Sequence, residues 1–235
     1  MDIRINWNEK QELVRWNIPA AFKADSCIGE HLYGREELFH EMKENVAQKY
    51  LAISDGEQAI QVSNIGTYGS AFDDKSASLK MTLLRSASYC AHPVGDRKVM
   101  PQDRYMPYIE QGERDFSFKL TFGAKEEILD HAGRVAHQFN QPSMAFSFYP
   151  TGTGEKPKAS WLLESEIIDC TAFKKAEDGD GFILRLFNPT EKEQTATVEW
   201  KGEKTKVSFG KYEIKTLRLN ESGVKETDLL EGLLK

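Results

Sequence analysis

The sequence is poor in the residues that staple a small protein or hold a metal. Its 235 residues include three cysteines, Cys27, Cys90 and Cys170, widely spaced and without a C-x-x-C pair. An odd, scattered set argues against a disulfide framework or a cysteine-based zinc site and leaves buried or free thiols. The five histidines are His31, His40, His92, His131 and His137, and none stands in H-x-D, H-x-x-x-H or H-E-x-x-H spacing. His131 and His137 would fall on roughly opposite faces of a helix, so they cannot chelate one ion. No metal or other cofactor site is therefore expected within this segment. Missing too are G-x-S-x-G, a G-K-[ST] phosphate loop and G-x-G-x-x-G. The chain thus carries no complete catalytic machine, and no catalytic residue is assigned to it. No apolar run approaches about 18 residues, and Met1-Asp2-Ile3-Arg4 does not open a secretory signal. A soluble, cytoplasmic chain with no membrane partner is expected. A basic excess is also lacking: 31 Lys and Arg face 37 Asp and Glu, a net charge of −6, which argues against nucleic acid.

What is present is patterned for sheet. The chain is 40% hydrophobic, 29% charged and 11% aromatic, a globular composition in which ring-rich strands can pack on one another. Period-two alternation recurs at Ile3, Ile5 and Trp7, at Val14, Trp16 and Ile18, and at Phe182, Leu184 and Leu186. It is clearest at Phe116, Phe118, Leu120 and Phe122, and Met144, Phe146 and Phe148 repeat it. Such runs predict half-buried strands. Asp55-Gly56, Asn64-Ile65-Gly66 and Glu177-Asp178-Gly179-Asp180-Gly181 supply the turns between them. One helix is predicted over 125–140, with Ile128, Leu129, Val135, Ala136 and Phe139 near a 3.6 period and Pro142 as its stop. The stretch from Arg35 to Gln48 reads as weakly helical or irregular. Residues 86–113 read as a long ordered loop, and 150–158 as a linker before a smaller strand-rich unit.

Two apparent motifs dissolve on their surroundings. Thr153-Gly154-Glu155-Lys156-Pro157 matches a zinc-finger linker, but no finger flanks it. Asp178-Gly179-Asp180-Gly181 lacks the later bidentate Glu of a calcium loop and reads as a hairpin turn. The cluster that stands out runs from Leu84-Arg85-Ser86 through Tyr89, His92, Asp103, Arg104 and Tyr105 to Glu113-Arg114. An arginine ending an apolar strand, followed by a loop rich in Tyr, Arg and His, suits a sugar site, because guanidinium and carboxylate groups bind hydroxyls and rings stack on pyranose faces. The same residues would serve equally as an ion-paired structural loop.

At these residues the sequence resembles glycoside hydrolase family 38, the retaining α-mannosidases, in their C-terminal β region. The resemblance rests on Met81-Thr82-Leu83-Leu84-Arg85-Ser86-Ala87 and on Glu110-Gln111-Gly112-Glu113-Arg114-Asp115-Phe116-Ser117-Phe118. Ile60 to Gly69 is similar to the family's preceding hairpin, and Phe173 to Gly179 with Leu184 to Asn188 is similar to a later strand pair. Tyr212 to Leu217 and Thr227 to Glu231 resemble the family's C-terminus. Ala87 stands where the family commonly has Pro, and Asn64 where many members have Asp.

The resemblance implies an all-β chain: part of a large, galactose mutarotase-like β-supersandwich over 1–155, then a small β-sandwich over 156–235, with one short helix. It implies that the nucleophile and zinc, or another divalent metal, belong to an N-terminal catalytic domain that nothing here matches. The expected partners are that domain, an α-mannoside substrate met through the parent enzyme, and further copies of the chain in a homo-oligomer. Arg85, Asp103, Arg104, Asn64 and Tyr68 form the candidate rim of the sugar site. The alternative is a free-standing carbohydrate-binding or scaffold module without activity of its own.

Overall fold

The computed structural model describes residues 1–88, 108–147, 149, 152, 154 and 159–232. They fall into two compact units, one of residues 1–30 and 36–129, the other of 31–35 and 130–235. The boundary drawn at 155/156 falls outside the described residues.

The alternation predicts the first, second and last strands of the first unit, and seven further strands lie between them. In chain order they are β1 (Asp2–Trp7), β2 (Leu13–Pro19), β3 (Ser26–His31), β4 (Gly34–Glu37), β5 (Glu44–Val46), β6 (Tyr50–Ser54), β7 (Gln58–Asn64), β8 (Gly69–Asp73), β9 (Ser78–Arg85) and β10 (Gly112–Ala124). They form a six-stranded sheet, β1-β10-β7-β6-β3-β4, and a four-stranded sheet, β2-β9-β8-β5. Leu51, Ile53, Val62 and Phe118 from the first sheet and Ile18, Phe72, Leu79 and Met81 from the second bury into one core. Trp16 leans on Phe118 with ring centroids 5.0 Å apart. Two faces that each hide every second residue have no other way to leave water than against each other.

Helix α1 spans Lys125–Asn140, the range its periodicity predicts. Glu126 and Glu127 sit in its first turn and His137 in its last, each favourable to the helix dipole. Ile128, Ala132 and Ala136, four residues apart, make its buried stripe.

The second unit continues with β11 (Trp161–Glu164), β12 (Asp169–Lys175), β13 (Phe182–Phe187), β14 (Gln194–Trp200), β15 (Glu203–Phe209), β16 (Ile214–Asn220) and β17 (Gly223–Thr227). Its sheets are β11-β14-β15 and β12-β13-β16-β17. Leu184, Leu186, Leu217 and Leu219 face Val198, Trp200, Val207 and Phe209 across the core. These pairings are antiparallel, and among the described residues the fold is all-β with one helix.

Two expectations need correcting. Residues 35–48 hold no helix: β4 and β5 lie there, with Leu38, Asn45 and Ala47 buried. These strands carry too few residues each for a period to show. Residues 142–147 form no strand, and Met144 and Phe146 stand 81% and 84% exposed. Alternation marks which side chains could share a face, but a strand also needs a neighbour to bond. The third member of that pattern, Phe148, lies outside the described residues. No helix among the described residues is long and apolar enough to cross a membrane.

Candidate functional site

At one end of the first unit's sandwich a cleft of about 290 Å³ opens among the β7–β8 turn, the end of β9 and the start of β10. Thr67 and Tyr68 come from the turn, Thr82 and Arg85 from β9, and Glu110, Arg114 and Phe116 from the approach to β10 and the strand itself.

Each wall has a local cause. The turn can be tight because Gly66 takes φ +75°, where an L side chain is rarely accommodated. It is held from below by Asn64, only 1% exposed. The Asn64 amide donates to the Gln48 carbonyl at 2.9 Å, and its Oδ1 accepts the Thr67 N–H at 3.0 Å. Thr67 is thereby buried, while Tyr68 projects 53% exposed. Gly69 leaves room for Thr82, whose Cβ would lie 3.2 Å from any Cβ added there.

On β9, Leu84 pairs with Val14 but Thr82 pairs with Arg15, so Leu83 is the extra residue of a β-bulge. A bulge bends its strand and re-aims the side chains beyond it. Here it sits two residues before Arg85, which ends exposed at the mouth of the cleft. The Arg85 N–H donates to the Glu110 carboxylate. Glu110 itself holds φ +57°, an uncommon conformation for a residue with a side chain. Behind this wall, Ser86 Oγ accepts from Trp7 Nε1 at 3.3 Å and from the Glu12 N–H at 3.2 Å, pinning the strand end in place. Arg114 directs one guanidinium nitrogen to the Glu113 carbonyl at 2.9 Å.

The structure thus brings Arg85 and Tyr68 to one cleft. Asn64 lies beneath it as the brace of the turn, its side chain bonded inward. Asp103 and Arg104 lie outside the described residues, as does His92. Glu110, Arg114, Phe116, Thr67 and Thr82 complete the walls. Of these Arg114 stood in the polar cluster singled out as a possible sugar site, Phe116 opened the clearest alternating run, and Thr67, Thr82 and Glu110 fell within the segments that carry the family resemblance. Chemically, the cleft offers two guanidiniums, a carboxylate, hydroxyls and two aromatic rings, a set able to hold a polyol by hydrogen bonds and ring stacking. Among the described residues no three His, Cys, Asp or Glu side chains converge as metal ligands. These residues therefore do not fit the metal that the resemblance implies for a parent enzyme.

The thiols lie elsewhere. Cys27 is buried on β3, and burial pushes its pKa up from 9.0 to about 12, with the charge of Glu37 adding to the rise. Such a thiol is inert as a nucleophile. Cys170 is half-buried and is also shifted upward by burial. Cys90 lies outside the described residues.

The second unit has a cleft of about 260 Å³ among β15, β16 and β17, lined by residues that include Lys206, Lys215 and Glu226 and no arginine. Its arginines are spent internally. Arg218 on β16, 7% exposed, reaches Asp178 Oδ1 at 2.8 Å, the Asp180 carbonyl at 2.9 Å and the Glu231 carbonyl at 3.1 Å. Arg185 on β13 donates to Thr216 Oγ1 at 3.2 Å and to the Leu229 carbonyl at 3.1 Å.

Comparison with known proteins follows the same division. Residues 168–232 match the family described as glycosyl hydrolases family 38 C-terminal beta sandwich domain. Among solved structures, the chain is similar to an alpha-mannosidase from Enterococcus faecalis V583, with a TM-score of 0.74 and 15% identity. It is also similar to a protein in the glycosyl hydrolase family 38 from Enterococcus faecalis, with a TM-score of 0.76 and 17% identity. Each likeness covers 92% of this chain and 27% of the other, so the chain spans about a quarter of their length. No curated protein matches the sequence. Residues 168–232, the larger part of the second unit's strands, thus match the family 38 C-terminal beta sandwich domain, and 92% of the chain has the fold found in these two structures.

Proposed function

We propose that the chain serves as the C-terminal β region of a family 38 retaining α-mannosidase, an enzyme that hydrolyses terminal α-mannosides. The nucleophile and the zinc or other divalent metal would belong to an N-terminal catalytic domain. When bound there, the metal would hold sugar hydroxyls. This chain's own residues would brace that domain and close one side of the sugar site. The observation that carries the reading is the cleft, where a bulged strand aims Arg85 beside Tyr68, Thr67 and Arg114.

In that role Arg85 would donate to sugar hydroxyls from a fixed strand end, Tyr68 would cover a pyranose face, and Glu110 would hold the Arg85 backbone in place. The residues bind and orient, and no proton or covalent step is assigned to them. The match of residues 168–232 and the fold likeness support the placement.

The experiment is an assay of the isolated chain on an aryl α-mannoside with added zinc, beside the same chain joined to the domain encoded upstream. Turnover is expected only from the joined protein. Hydrolysis by the isolated chain that chelation abolishes would overturn the assignment of catalysis to another domain. If no such domain is encoded, the free-standing carbohydrate-binding or scaffold module becomes the reading.

A further inference from the structure

Arginine is the side chain best shaped to hold an anion, because its planar fork offers two parallel N–H groups to a phosphate or a carboxylate. Among the described residues, Arg4, Arg15, Arg35 and Arg218 each pair with a carboxylate of the chain itself. Arg134 and Arg185 are tied to distant carbonyl and hydroxyl oxygens. Arg85 and Arg114 pair with no carboxylate among the described residues, and both line the cleft at the end of the first unit's sandwich.

The pleat of β10 explains the sorting. Glu113 and Asp115 point to one side of the strand, where Arg4 meets them at 3.2 Å and 2.7 Å. Arg114 and Phe116 point to the other side, into the cleft. Glu110, the carboxylate that does line the cleft, is turned onto the Arg85 N–H. Two guanidiniums therefore stand against one carboxylate, in a chain whose net charge is −6. Positive charge gathered on a concave wall attracts an anion even where the molecule as a whole is acidic. Tyr68 and Phe116 add rings, Thr67 and Thr82 add hydroxyl groups, and about 290 Å³ is room for one sugar ring with a charged substituent.

We propose that this cleft is a receptor for an anionic sugar, a pyranose bearing a phosphate or a carboxylate, with the charge held by Arg85 and Arg114 and the ring set against Tyr68. The proposal rests on the reading of the cleft as the rim of a sugar site and narrows the ligand from mannosides in general to charged ones.

Titration calorimetry of the chain at low ionic strength tests it with four probes: mannose 6-phosphate, mannuronate, methyl α-mannoside and inorganic phosphate. At least one charged sugar is expected to bind about tenfold or more tighter than methyl α-mannoside, and the tighter of the two identifies phosphate or carboxylate as the group recognised. Inorganic phosphate should compete but bind more weakly than the charged sugar. Arg114→Gln should remove about fivefold of the preference and leave the affinity for methyl α-mannoside unchanged. Raising the salt should weaken only the charged probes. Should Arg114→Gln not fold, Arg85→Gln and the salt series read the same preference. Equal affinity for charged and neutral sugars, or a preference indifferent to both variants, would overturn the anion receptor and leave the sugar-rim reading standing. Inorganic phosphate bound as tightly as the charged sugars would overturn the role of the ring. Binding of none of the probes would overturn the receptor altogether, while the family 38 assignment is decided separately by turnover of the joined protein.

Discussion

The two sandwiches handle arginine in opposite ways. In the second unit Arg218 and Arg185 are structural clamps that tie the 178–181 turn and residues 229–231 onto the β12-β13-β16-β17 sheet. In the first unit Arg85 is carried past a bulge to the mouth of a cleft and, among the described residues, is anchored through its backbone rather than its guanidinium. The same side chain is thus a brace where carbonyls and carboxylates close on it and a presented group where the strand ends in the open. In the proposed function that difference separates a residue needed for folding from one offered to a sugar.

The sharpest way to break the comparison uses two turn glycines in similar conformations. Gly181 holds φ +84°, and a Cβ there would lie 2.3 Å from the Leu219 carbonyl oxygen. Gly66 holds φ +75° with nothing within 4 Å. Gly181→Ala is expected to cost about 3 kcal/mol, combining left-handed strain with a backbone clash, and Gly66→Ala only about 1 kcal/mol. Equal losses by urea denaturation would mean that the second unit's turn is no tighter than the first's.

Next in size is the arginine pair itself. Arg218→Ala leaves the Asp180 and Glu231 carbonyls without these donors and should lower Tm by several degrees. Arg85→Ala should move Tm by less than about 1 °C, as exposed side chains usually do. Calorimetry in which both fall alike would erase the distinction.

Acid and alkali address the two units by different groups. The hydrogen bond from Arg218 holds the Asp178 carboxyl below its ordinary 3.8. Its contribution is complete above that value and is lost as pH falls through the depressed one. Arg218→Ala should therefore flatten the acid limb of the stability curve. The Cys27 thiol is raised from 9.0 to about 12, so its contribution is complete below pH 9 and is lost as pH rises toward 12. Cys27→Ser should soften that alkaline limb, and a limb unchanged in shape would exclude Cys27 as its source. In the native state a thiol reagent should reach Cys27 more slowly than Cys170.

Much of this architecture was legible because the long elements repeat a period often enough to be counted. β10 shows it at four alternate rings and leucines, and α1 from Lys125 to Asn140. The 35–48 stretch defeats the same reading because its strands are too short to reveal a repeat. The site was legible where it coincides with a strand end, as at Arg85, and at the exposed turn residue Tyr68. Asn64 shows the limit: the sequence marks a turn, but only the fold reveals that its amide faces inward to Gln48 and Thr67. Glu110 stood within a motif of the family resemblance, but its contact with Arg85 was illegible, since it spans 25 residues and uses a conformation no local pattern announces.

The measurement that tests the central claim most directly is steady-state kinetics of Arg85→Ala in a protein that joins this chain to the proposed N-terminal catalytic domain, read beside its melting temperature. The account predicts a fall in kcat/KM of about tenfold or more, roughly 1.4 kcal/mol of lost transition-state stabilisation, with Tm nearly unchanged. A variant that melts several degrees lower yet keeps its kcat/KM would contradict it and make Arg85 a brace like Arg218.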